Sequence, residues 1–181
     1  MALQTRFMLR QSWRRVLGMD EALLLYVARR SAPSLTPVMR FFTRWGDPES
    51  WTLIGLALCG LGPSGLALGL RLAAGALGAT IPVQLLKRVL RRARPNQSIL
   101  GFEALDANPD AFSFPSGHTA VAFGIAFSFL VAGSGWAALA FPLAACIGLS
   151  RVYLGAHYPI DVAVGALLGS FGGIASRLLL G

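Results

Sequence analysis

Charged residues are scarce in this chain of 181 residues: they make up 13% of it, whereas hydrophobic residues make up 55%. A soluble domain usually carries about a quarter charged residues, so the composition argues against an ordinary soluble protein. The length allows about six membrane spans of roughly 20 residues each and leaves no room for a large soluble domain beside them. We therefore expect an all-α polytopic membrane protein built as a six-transmembrane-helix bundle.

Cysteine, lysine and histidine are also rare. Cys59 and Cys146 lie in apolar stretches, where cysteine behaves as a small hydrophobic side chain, so we expect no disulfide, no metal site and no cofactor. Lys87 is the single lysine, and arginines supply the rest of a net charge of +8. Because these cations flank hydrophobic segments, they indicate contact with anionic lipids or a phosphorylated substrate, not with nucleic acid.

Residues 1–18 predict an amphipathic helix on the membrane surface, because their arginines are interspersed with apolar side chains. A frayed basic tail is the alternative. Residues 19–181 predict the membrane domain, whose first span is interrupted near Pro33. The six predicted spans are approximately 20–45, 50–61, 66–92, 116–131, 136–153 and 159–180.

Two local patterns refine this division. Gly165, Gly169 and Gly173 recur at every fourth position, which predicts a smooth packing stripe on the last helix. The segment between the third and fourth spans, about 93–114, is polar and rich in turn residues, so it lies outside the membrane. Its acidic residues Glu103, Asp106 and Asp110 either line the entrance to a site or keep the loop soluble, and we expect the latter.

Three polar clusters fall on one face of the predicted membrane domain. The first, Lys87–Pro95, closes the third span, and the second, Ser116–His118, opens the fourth. The third, Arg151–Asp161, joins the fifth span to the sixth. Because consecutive spans cross in opposite directions, all three clusters lie at the same membrane surface, which indicates a common site.

Two of the clusters carry the only histidines, the side chain best suited to proton transfer and nucleophilic attack near neutral pH. His157 and Asp161 are four residues apart, so they can share one face of the sixth helix. The carboxylate would fix one imidazole nitrogen and leave the other free to attack. His118 has no acidic residue near it in sequence and suits the complementary role, protonation of a leaving oxygen. A pair of structural histidines is the alternative.

Lys87, Arg94 and Arg151 bring three cations to the same site, and these would repel one another unless an anion lay between them. Arginine forks fit phosphoryl oxygens in bidentate fashion, and lysine adds a point charge. Ser116 and Gly117 begin a predicted helix, whose free backbone amides offer a further anion site. For Lys87–Arg94 alone, a basic patch beside the membrane is the alternative.

The clusters together resemble the three-part signature of the type 2 phosphatidic acid phosphatase superfamily. The matching residues are Lys87, six residues, Arg94-Pro95; Pro115-Ser116-Gly117-His118; and Ser150-Arg151, five residues, His157, three residues, Asp161. All three parts match in order and spacing, and the resemblance covers about residues 50–180.

The resemblance implies a six-helix membrane phosphatase that needs no metal. His157 would be the nucleophile and form a phosphohistidine, Asp161 would orient it, and His118 would act first as general acid and then as base. The residues that would hold the phosphoryl group are Lys87, Arg94, Ser116, Gly117 and Arg151.

We accordingly expect an integral membrane phosphatase acting on a lipid phosphate or diphosphate. Undecaprenyl diphosphate is the preferred candidate, beside phosphatidylglycerol phosphate and phosphatidic acid. One alternative is a phosphotransferase in which a second lipid accepts the phosphoryl group from His157. The other is a transporter or structural membrane protein with a basic lipid-binding pocket.

The orientation follows from the distribution of positive charge. Arg6, Arg10, Arg14 and Arg15 favour a cytoplasmic N-terminus, and six spans then put the C-terminus in the cytoplasm as well. The active site would face the outer, periplasmic side of the inner membrane. The five basic residues in the range 87–94 break the positive-inside trend, which binding of a substrate phosphate would explain.

Overall fold

The structure is a computed structural model that describes residues 2–106 and 110–180, with side chains from residue 15 onward. Every regular element in these ranges is a helix, which confirms that the fold is all-α. The helices are α1 (Ala2–Ala28), α2 (Thr36–Trp45), α3 (Pro48–Cys59), α4 (Gly62–Leu90), α5 (Pro95–Ser98), α6 (Gly117–Val131), α7 (Ala137–Tyr153), α8 (Pro159–Ala175) and α9 (Arg177–Leu180).

A single helix runs through residue 18, the boundary expected between the amphipathic helix and the membrane domain. Helix α1 continues without a break from Ala2 to Ala28, so no helix begins at Asp20. The interruption expected in the first span is present as the turn at 29–35 between α1 and α2. The expected amphipathic face of 1–18 falls mainly on side chains outside the described set, apart from Arg15 and its neighbours, which are exposed.

Helices α4, α6 and α8 pack closely at the centre of the bundle because glycines remove the side chains between them. The predicted stripe at Gly165, Gly169 and Gly173 is confirmed. A Cβ atom at any of the three would collide with the backbone of α6 at Ser116, Ala120 and Gly124. The stripe therefore fixes the start of α8 against the start of α6, where the second and third polar clusters lie.

Local signals at the helix ends bring the clusters together. Helix α4 ends at Leu90. The next residue, Arg91, caps the helix in a left-handed conformation (φ 45°), which turns the chain back over the end of the bundle. Helix α8 begins with Pro159. Proline has no backbone N–H, and a residue in the first turn needs none because that position has no partner within the helix. Asp161 accepts a hydrogen bond from the Tyr158 backbone N–H (2.9 Å) and so caps the same helix.

Apolar side chains cover much of the outside of the bundle. Leu77, Ile81 and Leu85 are exposed along α4, and Leu167 and Phe171 are exposed along α8. Among the described residues, two stretches are long and apolar enough to cross a membrane, Gly62–Ser98 and Pro159–Leu180. Two further apolar helices, Gly117–Val131 and Ala137–Tyr153, are shorter.

Candidate active site

The structure brings the three polar clusters into contact at one end of the bundle. The Ser116 backbone N–H donates to the Asp161 carbonyl oxygen (3.0 Å), which joins α6 to α8. Arg94 Nη1 donates to the Ala156 carbonyl oxygen (2.8 Å), which joins the segment after α4 to the turn before α8. A Cβ atom at Gly117 would lie 4.0 Å from Lys87 Nζ, so α4 and α6 meet there as well.

His157 lies in the turn between α7 and α8 and is 1% exposed. Its Nδ1 is 3.7 Å from Asp161 Oδ2, beyond the range of a direct hydrogen bond. Such contacts often tighten only when substrate binds. Burial lowers the pKa of His157 to about 3, despite the opposing effect of Asp161. The imidazole is therefore neutral near pH 7, the form that can act as a nucleophile.

Asp161 is fully buried, and several donors hold its carboxylate in place. Ser113 Oγ and the Tyr158 N–H donate to Oδ2, and Arg92 Nη1 donates to Oδ1 at 2.7 Å. Burial raises the energy of a charged group unless it is paired and hydrogen-bonded. These donors meet that requirement and fix the carboxylate beside His157.

Arg92 also reaches α1 through a second buried carboxylate. Its Nη2 donates to Asp20 Oδ2 (2.7 Å), and Asp20 Oδ1 accepts from the Ile160 N–H (2.9 Å). The guanidinium lies over the Tyr158 ring, with Cζ 3.9 Å from the ring centroid. In the sequence Arg92 is only one of several basic residues beside a span, whereas in the structure it bridges Asp20 and Asp161.

The expected cationic group is present, and acidic residues of the preceding loop neutralise part of it. Lys87 and Arg94 are both buried, and Asp110 forms ion pairs with both of them. Although burial raises the pKa of Asp110, the hydrogen bond and charge of Lys87 lower it further, to below its usual range. Asp106 Oδ2 lies 3.7 Å from Arg151 Nη1. The expectation that Asp106 and Asp110 only solubilise the loop is therefore wrong.

His118 and Arg151 each contact the corner between α2 and α3, which the sequence analysis leaves without a role. His118 Nε2 is 2.8 Å from Asp47 Oδ1, and Arg151 Nη1 donates to Thr43 Oγ1. Arg151 is 2% exposed, so its contact with Thr43 is buried, whereas the contact between His118 and Asp47 is only partly buried. The partners are 71 and 108 residues apart in sequence, which explains why no local pattern points to them.

A cavity of about 920 Å³ opens beside His118 and runs between α3 and α4. Its polar end includes Thr43, Asp47, Arg94, Asp106, Asp110, Gly117, His118 and Arg151. Its apolar part includes Trp51, Gly55, Leu56, Leu70, Leu72, Ala73, Ala76 and Leu77. The cavity thus joins a polar end, which holds arginines and carboxylates, to an apolar groove among the helices.

Ser116 is a predicted site residue whose side chain is paired within the first turn of its own helix. It is fully buried, and its Oγ pairs with Thr119 Oγ1 at 2.9 Å. Its backbone N–H is already bonded to α8. Among residues 2–106 and 110–180, no three His, Cys, Asp or Glu side chains are grouped so that they could hold a metal ion.

Comparison with known proteins identifies the family to which this site belongs. The family model described as "PAP2 superfamily" matches residues 66–180, which include all three clusters. The chain belongs to the PAP2 superfamily. It is 27% identical over 156 residues to the undecaprenyl-diphosphatase of Sulfolobus acidocaldarius, across 86% of this chain and 75% of that protein. Several other curated relatives match over about half of their length or less.

Two solved PAP2-type structures share the fold. LpxE of Aquifex aeolicus is 31% identical with a TM-score of 0.73, covering 87% of this chain and 93% of that one. The transmembrane PAP2-type phosphatidylglycerolphosphate phosphatase of Bacillus subtilis is 25% identical with a TM-score of 0.72, covering 91% and 86%. The chain is therefore a membrane phosphatase of the PAP2 kind, as the sequence analysis predicts.

The PAP2 match begins at residue 66, so it leaves out part of the site described above. Asp20, Thr43 and Asp47 all precede the match, yet each contacts a residue of the three clusters. The N-terminal helices thus supply partners to the PAP2 cluster residues as well as packing.

Proposed function

We propose that this protein hydrolyses the phosphate of a membrane lipid at the membrane surface, through a phosphohistidine formed on His157. One observation carries the proposal: two buried arginines, Arg94 and Arg151, line the polar end of a cavity whose other part is an apolar groove. A phosphorylated headgroup matches the cations, and a hydrocarbon chain matches the groove between α3 and α4. A soluble phosphate ester would leave that groove without a role.

In the first step, Nε2 of His157 attacks the phosphorus atom while the bond to the lipid oxygen breaks. His118 donates a proton to that oxygen, so the lipid leaves as an alcohol, or as a lipid monophosphate if the substrate is a diphosphate. Lys87, Arg94 and Arg151 stabilise the charge on the transferring group, as fixed cations do in phosphoryl transfer. Asp161 stays ionised and balances the charge on His157.

In the second step, neutral His118 takes a proton from water as the water oxygen attacks phosphorus. The phosphorus–nitrogen bond breaks, inorganic phosphate forms, and His157 returns to its neutral state. His118 is then protonated and ready for the next lipid. His118 can exchange protons with the cavity because its side chain is 19% exposed, whereas His157 is enclosed.

Undecaprenyl diphosphate is the substrate that we propose first. The relative from Sulfolobus acidocaldarius is named an undecaprenyl-diphosphatase, and the structural neighbour from Bacillus subtilis is named a phosphatidylglycerolphosphate phosphatase. Both names describe a phosphorylated lipid, so phosphatidylglycerol phosphate and phosphatidic acid are the next candidates.

Phosphate release from a panel of these lipids by the purified protein in detergent tests the proposal. We expect release from at least one lipid, undiminished by EDTA, and a preference for undecaprenyl diphosphate. Analysis of the lipid products separates hydrolysis from transfer, because a phosphotransferase would produce a newly phosphorylated lipid and little free phosphate. No release from any lipid would contradict the proposed function.

We further propose six membrane crossings, with both termini cytoplasmic, the start of α1 on the cytoplasmic surface and the active site on the outer face. The convergence of all three clusters at one end of the bundle supports this arrangement. A cysteine introduced at exposed Glu103, in a chain with Cys59 and Cys146 replaced by serine, tests it. An impermeant thiol reagent should label intact cells, and labelling only after lysis would overturn the orientation.

A further inference from the structure

We propose that Asp47, at the corner between α2 and α3, is a positioning residue that holds His118 for protonation of the leaving oxygen. This inference rests on the proposed function, because it assigns a partner to the general acid of that reaction. Asp47 lies outside the segment that matches the PAP2 family. The contact between them is direct: His118 Nε2 is 2.8 Å from Asp47 Oδ1.

The position of Asp47 in its own helix favours this role. Asp47 is the N-cap residue of α3, and Pro48 follows it at the first helical position. An aspartate there usually accepts a hydrogen bond from a backbone N–H of its helix, which stabilises the helix. The Asp47 side chain makes no such capping bond. Its carboxylate is directed instead to a histidine 71 residues away in sequence.

Gly46, the residue before Asp47, leaves room for the same contact. A Cβ atom at Gly46 would lie 2.8 Å from Cδ2 of His118 and 2.9 Å from Cγ2 of Ile147. The backbone of Gly46 is in the ordinary right-handed region (φ −86°), so only packing requires glycine there. The Cδ2–Nε2 edge of the imidazole thus lies against the corner, and Nδ1, across the ring, remains to deliver the proton.

The charges around His118 require a partner of this kind. Protonated His118 is repelled by Arg151 and Lys87, which must stay charged to bind phosphate. An opposite charge within hydrogen-bonding distance favours the charged form of a histidine. Asp47 supplies that charge at the cavity wall, where its side chain is 41% exposed and water can restore the proton. Asp47 remains a carboxylate throughout, and the proton that reaches the leaving oxygen comes from His118.

Two substrates with different leaving groups distinguish this role from a structural one. Dioctanoyl phosphatidic acid must expel an alkoxide, which needs a proton, whereas p-nitrophenyl phosphate expels a stable phenolate without one. The constant kcat/KM reports the step in which the leaving group departs. We expect Asp47→Asn to lower kcat/KM for phosphatidic acid by about ten- to a hundredfold, and that for p-nitrophenyl phosphate by no more than about threefold.

Gly46→Ala provides a second variant, which keeps the Asp47 carboxylate but displaces the His118 imidazole. We expect it to lower kcat/KM for phosphatidic acid and to spare that for p-nitrophenyl phosphate. Glu49→Gln is the matched control, since it removes one negative charge two residues away; it should leave the ratio between the two substrates unchanged. His118→Ala removes the general acid itself, so it should show the largest loss of kcat/KM for phosphatidic acid relative to p-nitrophenyl phosphate.

Equal losses on both substrates in Asp47→Asn and Gly46→Ala would overturn the inference and leave the proposed function intact. A wild-type protein that releases phosphate from neither substrate, nor from undecaprenyl diphosphate or phosphatidylglycerol phosphate, would instead overturn the proposed function, and the role of Asp47 with it.

Discussion

The two histidines of the site lie in contrasting surroundings. The enclosed side comprises His157, Asp161, Arg92 and Asp20, and both the imidazole and the two carboxylates are at most 3% exposed. The cavity side comprises His118 with Asp47, whose side chains are 19% and 41% exposed. Each histidine has a carboxylate partner, but the partners differ in burial and in the number of groups that hold them.

The difference corresponds to what each proposed role demands. A nucleophile must stay neutral and keep one orientation, and burial among fixed donors provides both conditions. A general acid must regain its proton in every cycle, which requires access to water. The same pair of residue types thus serves two kinds of chemistry because the surroundings differ.

The largest expected effect is on the enclosed side. His157→Ala should reduce turnover of every lipid phosphate, and of p-nitrophenyl phosphate, by about 10⁵-fold or more, because the nucleophile is lost. Steady-state phosphate release measures the loss, and unchanged thermal melting in detergent serves as the folding control. Retention of activity by this variant would contradict the assigned nucleophile.

Asp161→Asn should cause the second-largest loss of activity, because an amide can no longer hold the correct tautomer of His157. We expect kcat to fall by roughly 10³- to 10⁴-fold, as when a buried aspartate that orients a catalytic histidine is changed to asparagine. The loss should be equal for p-nitrophenyl phosphate and phosphatidic acid, because both substrates need the same attack by His157 whatever their leaving group. A loss confined to phosphatidic acid would show that Asp161 serves the acid and not the nucleophile.

Arg92→Gln tests whether the bridge to α1 contributes to the enclosed side. Removing one partner of a buried ion pair destabilises a protein by about 3–5 kcal/mol, and a shift of about 1 Å in the nucleophile can cost up to a hundredfold in rate. We expect a lower melting temperature together with a kcat reduced about ten- to a hundredfold. Arg88→Gln, at an exposed position of the same helix end, is the control and should change neither quantity.

Asp110→Asn should have the smallest effect, and in the opposite direction. The Asp110 carboxylate contacts Lys87 and Arg94, where the phosphoryl group of a substrate would bind. Its removal should lower KM about three- to tenfold, because the cations are then free to bind the substrate. Glu103→Gln, an exposed position in the same loop, should leave KM unchanged. A higher KM in Asp110→Asn would indicate that this carboxylate helps to bind the lipid.

Much of the enclosed side can be predicted from the sequence, because its main signals are local. His157 and Asp161 are four residues apart, and Gly165 begins a regular stripe that fixes α8 against α6. The cavity side, and the contact of Asp20 with Arg92 on the enclosed side, cannot be predicted in this way. Asp47 reaches His118 across 71 residues and Asp20 reaches Arg92 across 72, so only tertiary packing brings them together.

The continuous helix α1 shows a second limit of local reasoning. Asp20 has the residue type of a helix cap, yet it lies inside a helix, and its carboxylate binds Arg92 and the Ile160 N–H instead. Similarly, Asp106 and Asp110 look like ordinary loop residues until the fold places them against the cations. In each case a distant partner decides the role of the acidic residue.

Trapping of the covalent intermediate tests the central claim most directly. His118→Ala should still be phosphorylated by ³²P-labelled p-nitrophenyl phosphate, whose phenolate needs no proton, but the intermediate should then persist because the base for water is missing. We predict an alkali-stable, acid-labile label on the peptide that contains His157, and no label in the His118→Ala, His157→Ala double variant. A label on another residue, or one that persists without His157, would contradict the account.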